Sequence, residues 1–270
     1  MKYTQVAIET TDAGQHEILV ALLADIGFEG FEETDDMVKA FIREEELNTT
    51  ALNEIVGNLQ LQYTLLSIEQ QNWNAQWESS FEPVIVEDFA AVRAAFHKPV
   101  SGVKYEIIIT PKMSFGTGHH ATTYLMMQQM SYIDFAGKKV FDFGTGTGVL
   151  AILAEKLGAT KIDAIDIDEW SVENTNENIL ANKCHNITVA MANTINTAIK
   201  YDVVLANINL NVLLANMKDI AAICQNGATV LFSGILTTDE TTLQQSAAKC
   251  SFTFKNTAEK NNWLCITAQS

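Results

Sequence analysis

Val140-Phe141-Asp142-Phe143-Gly144-Thr145-Gly146-Thr147-Gly148 is the stretch that decides the fold. Val140 to Phe143 is a short strand, apolar apart from Asp142, and a glycine loop follows it. Val149 to Leu157 comes next, with Leu150, Leu153, Ala154 and Leu157 at helical spacing, and Gly158 stops that helix. Lys161 to Ile165 reads as a second strand running into Asp166-Ile167-Asp168. Strand, glycine loop, helix, strand, acid is the first half of a doubly wound nucleotide-binding sheet. Glycines let backbone N–H groups meet a ligand that a Cβ would push away. The acid after the second strand is placed to accept from ribose hydroxyls. Gly144, Gly146 and Asp166 are therefore cofactor-binding candidates.

Two nucleotides fit this pattern. Gly146-x-Gly148-x-x-Ala151, with Asp166 further on, satisfies the dinucleotide fingerprint, so an NAD-dependent oxidoreductase stays open. Asp142 points the other way. An acid just before the loop suits a cationic ligand group and suits a pyrophosphate poorly. S-adenosylmethionine carries an α-ammonium at that place, and Asp142 joins the cofactor candidates. Upstream, Lys112-Met113-Ser114-Phe115-Gly116-Thr117-Gly118-His119-His120-Ala121-Thr122-Thr123 precedes a helix over Tyr124 to Met130. The threonine pair is placed to cap that helix or meet a ligand. His119 and His120 are catalytic candidates, one expected to line a pocket and its neighbour to be structural. No acid or Cys cluster accompanies them, so a metal site is not expected.

The whole chain has 270 residues, 47% of them hydrophobic and 19% charged, with 3 Pro, which is ample for a buried core and unlike a disordered chain. That length suits one large or two ordinary domains. No apolar run approaches the roughly 18 to 20 residues that span a bilayer, and Met1 to Thr10 does not read as a secretory signal. Cys184, Cys224, Cys250 and Cys265 are scattered with no CxxC pair, which excludes a zinc ribbon or redox dithiol and fits a reduced cytoplasmic setting. Seventeen Lys plus Arg against 33 Asp plus Glu leave a formal charge of -16. Such a surface repels phosphate backbones, so tight nucleic-acid binding is not expected. It attracts a basic partner, unless it serves solubility alone.

Ahead of the glycine loop the pattern is different. Tyr3 to Ile8 alternates as a strand, and Gly14 to Ile26 carries Ile18, Leu19, Leu22, Leu23 and Ile26 as one helix face. Phe28 to Glu33 and Met37 to Arg43 read as a hairpin, Thr49 to Leu59 as a helix and Leu61 to Ile68 as a strand. The order β-α-β-β-α-β is that of the ferredoxin-like unit. Gln70 to Phe81 holds Trp73 and Trp77, read as an interdomain packing face. Short strands follow at Val84 to Val86, Ala91 to Ala95 and Tyr105 to Thr110. After the glycine loop, helices are expected at Ser171 to Ala181 and Leu213 to Ile223. Strands are expected at Thr188 to Met191, Tyr201 to Leu205, Thr229 to Ser233, Phe252 to Asn256 and Trp263 to Thr267, the last two fitting an antiparallel pair or plain core strands equally.

These residues match a known pattern. Phe115 to Thr123 and Asp142 to Ile152 resemble the signatures of the ribosomal protein L11 methyltransferases, the PrmA family. Asn72-Trp73 to Trp77 ahead of Phe81-Glu82-Pro83, Ala206-Asn207-Ile208, Ser233-Gly234-Ile235-Leu236 and Trp263 agree. The resemblance implies a class I methyltransferase, a Rossmann-like doubly wound α/β sheet, joined by a flexible linker to a small N-terminal α+β ferredoxin-like recognition domain. On this reading residues 1–68 are the recognition domain, 69–110 a linker with connecting strands, and 111–270 the catalytic domain. It also implies S-adenosylmethionine as cofactor, with contacts at Thr123, Gly144, Asp166 and Asn207. Phe115, which opens the specific stretch, is counted with them.

The implied reaction is methylation of lysine ε-amines and the N-terminal α-amine of the basic large-subunit protein L11. Asn207 is the candidate for orienting the amine, and His119 or His120 for relaying its proton. One departure touches the acceptor pocket. The family often has a small residue and Pro-Leu after an Asn-Ile-Leu, and this chain has Asn207-Ile208-Asn209-Leu210-Asn211-Val212-Leu213 there. There is no Asn-Pro-Pro-Tyr, which argues against adenine and glutamine acceptors. The alternatives are the NAD-dependent oxidoreductase, a methyltransferase acting on another basic protein or a small amine, and a binding module without activity.

Overall fold

Residues 2–34, 36–69, 82–112 and 116–270 are described by a computed structural model of the chain. Trp73, Trp77, Phe81 and Phe115 lie outside the described residues. By its internal contacts the chain divides into two units, Met1–Ser80 and Phe81–Ser270.

In the first unit the order is β1 (Lys2–Glu9), α1 (Ala13–Asp25), β2 (Gly30–Thr34), β3 (Met37–Arg43), α2 (Thr49–Asn58) and β4 (Tyr63–Glu69). The sheet runs β2-β3-β1-β4 with every neighbour antiparallel, the ferredoxin-like arrangement. Side chains cap both helices. Asp12 accepts from Gly14 N at 2.8 Å, and Asn48 accepts from Thr50 N and Ala51 N at 3.1 Å. Val38, Ala40 and Ile42 alternate inward on β3, where they join a core with Leu19, Leu23, Leu52 and Val56. Ile18 and Leu22, expected on the same buried face, are exposed. A single sheet beneath α1 covers only part of its broad apolar stripe.

The second unit begins with a small sheet of β5 (Val84–Val86), β6 (Ala90–Ala94) and β7 (Tyr105–Ile109). β5 is antiparallel and β7 parallel to β6. Then come α3 (Ala121–Met130), β8 (Lys139–Phe143), α4 (Val149–Lys156), β9 (Lys161–Asp166), α5 (Glu169–Ala181), β10 (Ile187–Met191) and β11 (Tyr201–Asn207). The chain ends with α6 (Leu210–Ile223), β12 (Cys224–Leu236), α7 (Glu240–Ala248), β13 (Thr253–Lys260) and β14 (Trp263–Gln269).

Seven strands form one sheet in the order β10-β9-β8-β11-β12-β14-β13. β14 is antiparallel to both neighbours, so the last two strands form an antiparallel pair. Both faces are covered. Val203 and Leu205 face the core built with α3, α4 and β5–β7, whereas Val204 and Ala206 face the core built with α6 and α7. That two-sided burial is why β11 reads as a nearly continuous apolar run. The sequence pattern does not announce α7. Only Leu243 and Ala247 of its polar sequence are buried, too thin a stripe to signal a helix.

From β8 the chain winds outward through β9 and β10 on one side, and β11 and β12 lie on the other. β8 and β11 therefore flank the switch point, where open parallel sheets bind ligands beyond their C-terminal ends. The neighbouring strand β12 shifts register between Ser233 and Ile235, at Gly234. Gly234 has φ +83°, and a Cβ there would stand 2.5 Å from the Ile208 carbonyl oxygen. Only glycine lets this kink lie against the backbone leaving β11. Gly234→Ala is expected to cost about 2 kcal/mol or more through strain and the clash. For a unit of this size that lowers the thermal midpoint by roughly 4–8 °C. Circular dichroism melts test this, and an unchanged midpoint would refute the close approach.

Candidate functional site

Beyond the C-terminal ends of β8, β9 and β11 lies a cavity of about 800 Å³. Phe143, Gly144 and Gly146 form one wall, and Ile165, Asp166, Ile167, Asp168 and Ser171 the next. Ala192 and Asn193 follow β10, and Asn207 to Asn209 lead from β11 into α6. Asn211, Val212, Ala215 and Asn216 line it from α6, and Gly234, Trp263, His120 and Thr122 complete it.

The glycine loop is tied to the protein itself. Gly144 N and Thr145 N donate to Ile165 O at 2.9 and 3.0 Å, and Gly148 N donates to Thr145 O at 2.9 Å. Gly146 N donates to Asp166 Oδ2 at 2.8 Å. Four of the five loop amides are thus engaged by protein acceptors, which leaves little of the N–H cradle that a pyrophosphate requires. Asp166 also accepts from Asp168 N through Oδ1 at 3.1 Å. Two backbone donors fix its carboxylate at the cavity wall, with further lone pairs on both oxygens for ligand hydroxyls.

Asp142 lies beneath this wall, fully buried, and does not line the cavity. Thr145 Oγ1 donates to its Oδ2 at 2.7 Å, and its Oδ1 has no hydrogen-bond partner among the described residues. Burial pushes its carboxyl from the ordinary 3.8 up to about 7, with Asp166 adding to the rise. The hydroxyl of Thr145 and the amide of Ala151, in the first turn of α4, act in the opposite direction. The positive end of α4 therefore faces a protein carboxyl.

Asn207 ends β11 and lines the cavity. Its Nδ2 donates to Thr123 Oγ1 at 3.4 Å, and its buried Oδ1 has no partner among the described residues. Native proteins seldom leave a buried amide oxygen unpaired, so this atom marks a place for a ligand donor. Thr123 is fully buried behind the wall.

The two histidines diverge. His120 lines the cavity as the N-cap of α3, its Nδ1 accepting from Thr122 N at 3.3 Å. Its ring stands edge-on to Trp263 with centroids 4.7 Å apart. His119 is exposed, and its Nε2 donates to Glu82 O at 3.0 Å. The cavity thus gathers Gly144, Gly146, Asp166, Asn207 and His120, has Asp142 and Thr123 behind it, and does not include His119.

Several lining residues escape the sequence reading. Ile167, Ser171, Asn193 and Asn216 carry no motif. Their signal is positional, since they follow the C-terminal ends of the parallel strands where ligands bind. Among the described residues, no three His, Cys, Asp or Glu side chains are grouped to hold a metal ion. Nor is any helix among them long and apolar enough to cross a membrane.

The chain is similar to known proteins of one family over nearly its whole length. The sequence model of the family described as ribosomal protein L11 methyltransferase (PrmA) matches residues 3–270. A relative of that name from Phocaeicola vulgatus is 38% identical over 276 residues, covering 98% of each chain. One from Porphyromonas gingivalis is 39% identical over 285 residues, covering 98% of this chain and 97% of its own. A solved structure, the ribosomal protein L11 methylase of Lactobacillus delbrueckii subsp. bulgaricus, is 27% identical with a TM-score of 0.65. It covers 70% of this chain and 98% of that one.

The buried Asp142 has a consequence for stability. Its folded-state affinity for a proton is raised, so its contribution is fully present below about pH 4 and lost as pH rises toward 7. The carboxamide of an Asp142→Asn variant keeps the shape and takes no charge. Between pH 4 and 7 the variant should therefore gain stability relative to the native chain, on the order of a few kcal/mol, and the gap should level off above 7. Urea unfolding of both proteins across that range measures it. A gap that stays constant from pH 4 to 8 would show that Asp142 does not titrate in this window.

Proposed function

Because the chain belongs to the ribosomal protein L11 methyltransferase (PrmA) family, we propose that it transfers methyl groups from S-adenosylmethionine to amino groups of L11. The acceptors are lysine ε-amines and the N-terminal α-amine. The observation that carries this reading is the unpaired Asn207 Oδ1, beside the glycine loop and the acid that suit an adenosyl ligand. The dinucleotide alternative is not favoured, since the loop amides are already engaged and the family is one of methyltransferases.

S-adenosylmethionine supplies a methyl group on a sulfonium, an electrophile for an amine. The residues present fit it. Asp166 holds lone pairs toward the cavity for ribose hydroxyls, and an α-ammonium beside the loop would favour the ionised form of Asp142 beneath it. A lysine amine has an ordinary pKa of roughly 10.4 and must enter neutral to react. Trp263, Ile208 and Val212 favour the neutral form by desolvating it. Asn207 Oδ1 accepts an N–H of the amine and turns its lone pair toward the methyl group. With Nδ1 of His120 accepting from Thr122 N, the ring N–H sits on Nε2. His120 on this reading is a wall residue, and the amine loses its proton to water before entry.

Every lining residue of the cavity lies in Phe81–Ser270. We therefore assign residues 1–68 to holding the protein substrate. The reaction is placed in the cytoplasm, in keeping with four free cysteines.

Methyl incorporation into purified L11 from labelled S-adenosylmethionine tests the proposal, and no incorporation by the native protein would overturn it. Asn207→Ala should lower kcat/KM by about 10²-fold, as misoriented reactants do.

The charge of -16 makes a second prediction. Attraction to a basic substrate reaches about 30 Å at 0.01 M salt and about 8 Å at physiological salt. Association with L11, followed by stopped flow, should slow as salt rises, while affinity for S-adenosylmethionine changes little. A flat association rate would leave the acidic surface a matter of solubility only.

A further inference from the structure

Asn174 and Asn178 of α5 and Asn182, its C-cap, stand four residues apart along one side. They meet the edge of β7 and the residue after it. Ile108 N donates to Asn182 Oδ1 at 2.9 Å, and Asn182 Nδ2 donates to Ile108 O at 2.6 Å. Thr110 N donates to Asn178 Oδ1 at 2.7 Å, and Asn174 Nδ2 donates to Thr110 O at 3.0 Å. A strand edge offers the groups of alternate residues about 6.6 Å apart. Four residues of helix rise about 6 Å, nearly the same repeat. The three carboxamides thus take the place of a neighbouring strand.

Asn178 does more than its two companions. It is fully buried, and its Nδ2 donates to Thr147 O in the glycine loop at 2.8 Å. Thr147 Oγ1 in turn donates to Gly116 O at 2.7 Å. Asn178 thus ties the glycine loop to Thr110 at the end of β7, and Thr147 ties the same loop to Gly116, ahead of His120 to Thr123. Asn182 reaches only Ile108 and the backbone of its own helix.

We infer that Asn178 is a positioning residue of the cofactor site, its carboxamide holding the glycine loop against the end of β7 in the place that ligand binding needs. The inference rests on the S-adenosylmethionine reading. Its oxygen must accept and its nitrogen must donate, so the side chain's hydrogen-bonding polarity matters as well as its volume.

The test compares S-adenosylmethionine affinity by calorimetry for the native protein, Asn178→Asp, Asn178→Ala and Asn182→Ala from pH 6 to pH 9. In the Asn178→Asp variant an ionised carboxylate turns an acceptor toward the Thr147 carbonyl, and its protonated form restores a donor. Relative to the native protein at each pH, Asn178→Asp should bind about tenfold more weakly at pH 9 and within about threefold at pH 6. Asn178→Ala should be about tenfold weaker throughout, and Asn182→Ala should bind within about twofold despite a lower melting temperature. Native-like affinity in both Asn178 variants at every pH would overturn the inference. So would an Asn182→Ala loss as large as that of Asn178→Ala. A native protein that fails to bind S-adenosylmethionine would instead sink the cofactor reading.

Discussion

Three successive backbone amides, those of Gly144, Thr145 and Gly146, converge on the end of β9. Two end on the Ile165 carbonyl and the third on the Asp166 carboxylate. This closure sets the start of α4, the placement of Asp166 and the wall of the cavity at once. It also spends the loop's donors within the protein. A loop closed this way is poorly suited to cradle a pyrophosphate, although its glycine spacing satisfies a dinucleotide fingerprint. The carboxyl of Asp142 at the first turn of α4 has the same effect, since the positive end of that helix is already answered by an acid.

Polar side chains perform much of the assembly around this closure. Thr175 Oγ1 donates to Gly146 O, and Asn178 to Thr147 O, so α5 holds the outer carbonyls of the loop. Each such bond contributes only about 1 kcal/mol net, but leaving a buried partner unpaired costs more. That asymmetry makes the network specific rather than merely stabilising. Among the described residues three of its buried oxygens lack a partner, Asp142 Oδ1, Asn207 Oδ1 and Asn174 Oδ1, and the first two lie at the site. One is an acceptor beneath the loop, the other an acceptor in the cavity, and a sulfonium ligand with an ammonium group and an incoming amine would bring donors to such positions.

Among the described residues, those that line the cavity lie in the second unit, while the first offers a four-stranded sheet with helices. A substrate that is itself a folded basic protein needs more surface than a cavity mouth provides. An acidic chain with a separate small domain is consistent with that need.

From the sequence alone came the strand, glycine loop, helix, strand and acid from Val140 to Asp166 and the β-α-β-β-α-β order. These are local, because periodicity and glycine spacing are written over a dozen residues or fewer. Asn207 was reached through family resemblance, and its position just past an apolar strand made physical sense of it. Tertiary structure alone decided which residues of α1 face inward, that polar α7 is a helix, that Asp142 lies under the wall and that His119 turns away from His120. The asparagine ladder was equally silent, since it joins residues 64 to 74 positions apart. A carboxamide at helical spacing reads as an ordinary solvated face until the strand edge it replaces is brought against it.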